Sequence, residues 1–292
     1  MDSLVCEVCF AACRLSEGQT GRCHARKNVN GRIIPLNYGK ITALALDPIE
    51  KKPLRRFFPG SRILSVGSYG CNLKCPFCQN CEISCAEEIN GRVIFRFRGA
   101  EQEIPYREMT PSELCSMALA YRQQGNIGVA YTYNEPLTGY EFVRDTAQLV
   151  HESGMKNVLV TNGSAGIPVL REILPWMDAM NIDLKGFSPD YYAKVLGGDL
   201  HMTQEFIKEA ATGCHVELTT LIIPGMNDSD EEMDALSLWI SSLDHGKEIP
   251  LHISRFFPGY RMAEAEPTEI SKIYHLSEIA KNHLEYVYTG NC

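Results

Sequence analysis

Apolar residues fall into short runs along this chain, and the runs carry two different periods. Between Gly31 and Pro48 the stretch GRIIPLNYGKITALALDP alternates apolar and polar positions, which predicts short strands rather than helix. From about residue 62 onward, brief apolar runs alternate with helical patterns. The predicted strands are RILSVGSY (62–69), IGVAYTY (127–133), KNVLVT (156–161), DAMNIDL (178–184), HVELTTLII (215–223) and LHISRF (251–256), with YVY (286–288) as a short seventh. Several helix starts are readable between them. Thr110 and Glu113 form a capping box with Pro111 at the first helical position. Ser188 precedes Pro189 in the same way. Ser229, followed by Asp230, Glu231 and Glu232, sets carboxylates in a first helical turn, where the helix dipole favours them. A last helix is predicted over 268–284, beginning at Thr268. Strands that alternate with helices imply an α/β fold with a parallel sheet. About six such units predict a barrel or partial barrel, smaller than the usual eight-unit form of ~250 residues. No internal repeat or low-complexity tract interrupts the pattern.

Composition narrows this only a little. The chain has 292 residues, 45% hydrophobic and 22% charged, the balance of a globular protein with ample core. A net charge of −8 implies no broad basic surface and argues against nucleic acid as a partner. The start MDSLVCEVCF lacks the basic region and apolar run of a signal peptide, and no stretch reaches the roughly 18 apolar residues of a membrane helix. A cytoplasmic protein with no membrane association is therefore expected. Residues 1–60 read as a Cys-containing, strand-rich extension, and 61–292 as the barrel.

Twelve cysteines change the picture more, because in a reducing compartment they point to metal or redox chemistry rather than disulfides. Four of them fall within CNLKCPFCQNC, residues 71–81. Cys71, Cys75 and Cys78 are spaced C-x3-C-x2-C directly after the first predicted barrel strand. They thus sit on a βα loop at the sheet's carboxyl end, where barrel active sites are built. Three thiolates there can bind three irons of a cubane cluster and leave the fourth iron open. The alternative is a structural zinc knuckle completed by Cys81 or Cys85, although zinc pairs prefer other spacings. Cys6, Cys9, Cys13 and Cys23 form a second set, C-x2-C-x3-C-x9-C. Four thiolates satisfy a closed zinc site or a complete iron–sulfur cluster, and an unoccupied reduced set is equally open. Cys115 and Cys214 read as small buried apolar residues.

CNLKCPFC, with Phe77 before the third cysteine, resembles the signature of the radical S-adenosylmethionine (SAM) superfamily. Further stretches resemble its branch of pyruvate formate-lyase activating enzymes and, more closely, the radical SAM enzymes of the AmmeMemoRadiSam system. These are CRLSEGQTGRCHARKN, GCNLKCPFCQN, YTYNEP, VTNG, NIDLKG, IIPGMND, SRFFPGYRM and YVYTGN. They cover nearly the whole chain in order. Relatives in that system continue into a further cysteine pair, so any role of that tail is expected to be lost here or supplied differently.

The resemblance implies a partial (β/α)6 radical SAM barrel, a 4Fe-4S cluster on Cys71, Cys75 and Cys78, and SAM bound at the open iron. It implies reductive cleavage of SAM to a 5′-deoxyadenosyl radical that abstracts hydrogen, an oxygen-sensitive reaction fed by a low-potential donor such as flavodoxin or ferredoxin. The implied target is a glycyl radical protein; a small molecule or peptide is the alternative, and a zinc-stabilised interaction module is the non-enzyme reading. Residue roles follow in the same way. Glu135, with Asn134 replacing a glycine of the family's GGE motif, stands where a carboxylate binds the SAM ammonium, unless it is only a helix-start carboxylate. Thr161 and Asn162 fall where methionine or ribose groups are contacted. Asp183 and Lys185 are placed for ribose hydroxyls and the SAM carboxylate, or form an exposed salt bridge. Ile223 is placed for adenine or is plain core, and His252 is an adenine contact or structural. Cys81 stands where close relatives carry tryptophan and is not an expected ligand.

Overall fold

The computed structural model describes residues 3–292; Met1 and Asp2 of the predicted 1–60 extension lie outside the described residues. An eight-stranded sheet dominates. Its strands follow sequence order: β1 (Ala43–Pro48), β2 (Arg62–Gly67), β3 (Asn126–Tyr131), β4 (Lys156–Thr161), β5 (Ala179–Asp183), β6 (His215–Ile222), β7 (Leu251–Arg255) and β8 (Val287–Gly290). From β2 to β8 all neighbours are parallel, and β1 pairs antiparallel with β2. The last strand of the first 60 residues therefore belongs to the same sheet as the barrel strands. β1 and β8 form the two edges and do not pair with each other.

Side chains alternate across each strand, and the two faces bury different things. Outward residues such as Leu64, Val66, Leu159, Ile182, Leu218 and Ile253 pack under the helices with Leu114, Val143, Leu170, Phe206, Leu236 and Leu276. Full burial of such a side chain stabilises by roughly 1.5–3 kcal/mol. Inward residues of β3, β4 and β5 are small here: Ala130, Val158 and Ala179. The space they leave is filled by Ile49, Leu54 and Phe57 from the segment joining β1 to β2, so this segment plugs the amino end of the barrel. Glu217 on β6 holds the plug. Its carboxylate accepts the N–H groups of Arg55 (2.9 Å) and Arg56 (2.8 Å), while Asn181 donates to the Pro53 carbonyl at 2.9 Å.

The helix Pro111–Ala120 starts with the predicted capping box, and Ser229 caps Asp230–Ser241 by accepting from Glu232 N–H. The last helix begins at Ile270 rather than Thr268. The Thr268 hydroxyl is used elsewhere: it donates to the Ile222 carbonyl and accepts from Phe256 N–H, tying the ends of β6 and β7 together. The Ser188–Pro189 start yields only the single turn Pro189–Tyr191, which runs into a π-turn, Tyr192–Leu196, and stops at Gly197 with φ +63°. An antiparallel sheet of Glu87–Ile89, Arg92–Phe97 and Ala100–Glu103 follows the cysteine loop and was not expected. Its sequence signals are the two-residue turns Asn90-Gly91 and Arg98-Gly99, all four residues with positive φ, the geometry of a hairpin turn.

Candidate active site

The cysteine loop leaves β2 at Gly67 and is fastened on several sides. Gly70, with φ +90°, lies so close to the N-terminal extension that a Cβ would stand 2.6 Å from the Cys23 carbonyl oxygen. Lys74 N–H donates to the Leu196 carbonyl at 2.8 Å. Asn72 donates to the Ser164 carbonyl and accepts from the Asn162 amide, whose nitrogen also lies 3.7 Å from Cys71 Sγ. The end of β4 thus grips the loop directly beside its first cysteine.

Cys71, Cys75, Cys78 and Phe77 all line one cavity of about 570 Å³ at the carboxyl end of the strands. Burial pushes the Cys71 thiol well up, and Glu135, Cys75 and Cys78 add to the effect. Burial raises Cys75 to about 11; Lys185 works against this and Cys78 with it. Thiolates here would be costly without a cation among them, and ligation to iron supplies one. Among the described residues no three His, Cys, Asp or Glu side chains converge as a single chelated ion requires. The three thiols line one cavity, and Cys75 and Cys78 both act on Cys71. A donor set of three cysteines suits an iron–sulfur cluster, whose cysteines bind separate irons. Cys81 is half-buried outside the cavity lining, and Cys85 accepts from the Tyr260 hydroxyl at 3.7 Å.

Glu135 lies four residues beyond the end of β3, not at the strand end itself, and is 2% exposed. Its carboxylate accepts from Leu137 N–H (3.1 Å), the Thr161 hydroxyl (2.8 Å) and Asn162 N–H (2.8 Å). It caps the turn Pro136–Gly139, so the helix-start role and the cavity position coexist in one side chain. Burial outweighs the three hydrogen bonds and pushes its pKa up to about 7, with Asp183 adding to the rise. Thr161 lines the cavity but directs its hydroxyl to Glu135. Asn134 is likewise turned to the chain: its amide nitrogen donates to the Tyr69 and Gly70 carbonyls, and its oxygen accepts from Ser68 N–H. In place of a glycine it staples the start of the cysteine loop. Tyr133 beside it has φ +75°, a strained conformation for a bulky residue. Its hydroxyl donates to Asp47 at 2.8 Å, and the buried Lys52 ammonium stands 4.7 Å over its ring.

Lys185 donates to Asp183 at 2.7 Å within the cavity wall, so the pair is not an exposed surface bridge. Burial opposes the Lys185 charge, but Asp183 and Cys75 more than offset it and its pKa rises. His252 also lines the cavity; its Nε2 meets Glu217 at 2.6 Å and its ring stacks on Tyr288. Nε2 is thereby committed to Glu217, and Tyr288 covers one face of the ring. Ile223 is not brought to this site. It is fully buried in the main core, and its N–H donates to Asn227. Sequence reasoning missed Glu217, which carries no motif and is recognisable only once His215 and His252 converge on it.

Cys6, Cys9 and Cys13 of the second set lie within a hairpin in which Leu4–Val5 pairs with Arg14–Leu15, and Cys23 follows it. Cys23 is buried and raised to about 11 by burial, with Cys9 and Cys6 adding, so the thiols are close enough to act on one another. The hairpin packs against the segment that follows β4: Gly166 N–H donates to the Val8 carbonyl, and Cys9 bridges to Ala165.

Comparisons with known proteins agree with this geometry. The Radical SAM superfamily profile matches residues 65–237. An uncharacterized protein of Methanocaldococcus jannaschii is 40% identical over 288 residues, 98% of this chain and 80% of its own. Pyruvate formate-lyase 1-activating enzyme of Escherichia coli is 26% identical over 199 residues, 66% of this chain and 74% of its own. Among solved structures, QueE from Escherichia coli superposes with a TM-score of 0.53 at 14% identity, over 87% of this chain and 94% of that one. Streptococcus suis SuiB bound to S-adenosylmethionine gives 0.56 at 14% identity, over 77% of this chain and 48% of that one; both are likenesses of fold. With its signature cysteines gathered at the mouth of a partial α/β barrel, the chain belongs to the radical SAM superfamily, in the branch that resembles pyruvate formate-lyase activating enzymes, and the family implies a 4Fe-4S cluster and SAM.

Proposed function

We propose that this protein uses SAM to abstract a hydrogen atom from the backbone of a partner protein, as an activating enzyme does. When bound, the cluster on Cys71, Cys75 and Cys78 supplies the electron that cleaves SAM. Glu135 receives the SAM ammonium, Lys185 pairs with its carboxylate while Asp183 orients that lysine, and the His252 ring flanks the adenine. The exposed Gln79 and Asn80 after the third cysteine leave an accessible side for a low-potential donor such as flavodoxin or ferredoxin.

One observation carries the choice of a macromolecular target. The barrel is open between its edge strands, and the cavity reaches both edges: Glu50, Lys51 and Arg55 line it beyond β1, and Thr289, Gly290 and Asn291 line it at β8. A side opening of this kind admits a polypeptide loop to the cluster. The relatives named as activating enzymes of pyruvate formate-lyase and of 4-hydroxyphenylacetate decarboxylase support the same class of substrate. The test is transfer of deuterium from a labelled partner backbone into 5′-deoxyadenosine. Label arriving instead from a small metabolite with no protein present refutes the proposal in favour of small-molecule or peptide modification.

A further inference from the structure

β6 and β7 run side by side with Thr219 opposite His252, so Glu217, two residues earlier on β6, shares the inward face with both. Glu217 is fully buried, and each of its oxygens has two partners. Oε1 accepts from Arg56 N–H at 2.8 Å and lies 3.0 Å from His215 Nε2. Oε2 accepts from Arg55 N–H at 2.9 Å and lies 2.6 Å from His252 Nε2. A carboxylate has about four lone-pair sites, and all are taken. The two histidines open to opposite ends of the barrel. His252 lines the cysteine cavity, whereas His215 lines a separate pocket at the amino end with Arg56 and Tyr286, its ring stacked on Phe57 of the plug.

These contacts decide where the His252 proton sits. Burial would raise Glu217, but its four partners hold it at about 2, so it is ionised and has no proton to give. A 2.6 Å contact with such a group requires a proton on Nε2. In the neutral ring Nδ1 is then a bare acceptor. It makes no hydrogen bond among the described residues and is not sealed from solvent, and the cavity is the space that His252 lines. The ring is also held in place. A flip would break the Glu217 contact, and Tyr288, paired with His252 across β7 and β8, stacks on it at 5.3 Å.

We propose that Glu217 is a positioning residue of the SAM site: it fixes His252 with its proton on Nε2, so that Nδ1 meets the cavity as an acceptor and selects a nucleoside carrying the adenine amino group. The inference rests on the reading of the cavity as the SAM site with His252 beside the adenine. An acceptor there discriminates because a purine without the amine leaves it unpaired. His252 touches the ligand, and Glu217 acts through His252.

The experiment uses the anaerobically reconstituted protein at pH 8 with its histidines labelled with nitrogen-15. The two probes are 5′-deoxyadenosine and the 5′-deoxy riboside of unsubstituted purine, which lacks the amino group. In wild type the His252 ring, assigned by its loss in His252→Gln, should show Nε2 protonated and Nδ1 bare by nuclear magnetic resonance. The Nδ1 signal should move with the first probe and not with the second, and the first should bind about tenfold tighter. In Glu217→Gln one oxygen remains for two histidines. The fixed tautomer should give way to a mixture, and the tenfold preference should shrink toward one. A carboxylate that merely holds the plug would lower the thermal midpoint and leave the preference alone, so a tautomer or a preference unchanged in that variant overturns the proposal. If Glu217→Gln does not fold, wild type decides: a neutral ring with its proton on Nδ1, or equal affinity for the two probes, overturns it. Wild type that binds neither probe nor SAM instead sinks the reading of the cavity as a SAM site, and this inference with it.

Discussion

Glu135 shows how one side chain is held between two states. Burial alone would leave it neutral, while three donors favour its charge, and the balance falls at about 7. Its folded value lies above the usual 4.5, so the stability it contributes is present below pH 4.5 and is lost as pH rises to about 7. A bound ammonium reverses that preference. SAM binding should therefore tighten as pH rises from 6 to 8, and Glu135→Gln should flatten the dependence and weaken binding about tenfold or more at pH 8, as loss of a charged hydrogen bond of roughly 1.5–3 kcal/mol requires. Anaerobic titrations at the two pH values decide this; equal affinity of both proteins at pH 8 refutes the role. The cysteines give a sharper outcome. Cys75→Ala should abolish SAM cleavage, because an iron loses its only protein ligand, whereas Cys81→Ala should keep most of the iron. Iron loss from the Cys81 variant would show that the ligand set is wrong. The sequence made these residues visible through spacing, and Glu135 through its place after a strand. It could not show that Asn134 and Thr161 spend their polar atoms on the chain, since a motif records residue types and not which atoms are already bonded.

Among the elements, the segment between β1 and β2 does more than connect. It fills the barrel's amino end and is clamped by Glu217, whose carboxylate is fully buried. Burial would raise that carboxylate, but His215, His252 and the Arg55 and Arg56 N–H groups hold it down at about 2. A folded value below the unfolded 4.5 means stability that is present above pH 4.5 and disappears as pH falls to about 2, about 3 kcal/mol in all. Glu217→Gln should lower the thermal midpoint by roughly 5–10 °C at neutral pH and remove most of that acid sensitivity. Melting curves between pH 7 and 3 that coincide for the two proteins would contradict the clamp. A second expectation concerns the N-terminal hairpin, too small to be stable without support. Replacing Cys6 and Cys9 together should lower thermal stability and leave some SAM cleavage; a variant that stays stable but loses all activity would mark those thiols as redox-active. The barrel strands were legible because parallel strands buried on both faces read as apolar runs, and their observed limits lie within two residues of those expected. The sheet of residues 87–103 was not. Its outer strands are short and charged, and only the middle one, Arg92–Phe97, carries an apolar run, so its clearest sequence signal is turn chemistry.

The whole molecule is asymmetric in a way that bears on what it can reach. A closed barrel would leave only the loop-covered mouth as a way in. Here the sheet ends in two unpaired edges, and the cysteine cavity extends to the residues flanking both. The loop that carries Cys71, Cys75 and Cys78 is fastened on three sides, to the N-terminal extension at Gly70, to the end of β4 through Asn72, and to the π-turn through Lys74. The reacting centre is therefore rigid on the side away from the opening, and a target must be brought to it. Productive hydrogen abstraction requires the target carbon within about 3–3.5 Å of the reactive one. With a low-potential reductant and no partner, SAM cleavage should thus be slow and uncoupled. Adding the partner should raise the rate and couple each cleavage to one abstraction, read as equal yields of 5′-deoxyadenosine and partner-centred radical by electron paramagnetic resonance. A bulky substitution at the opening tests the route independently of the chemistry. Gly290→Trp at the β8 edge should reduce the coupled reaction with the partner by tenfold or more and leave uncoupled SAM cleavage near its wild-type rate. If both rates fall together, the edge serves SAM rather than the target; if neither changes, the partner does not enter between β1 and β8.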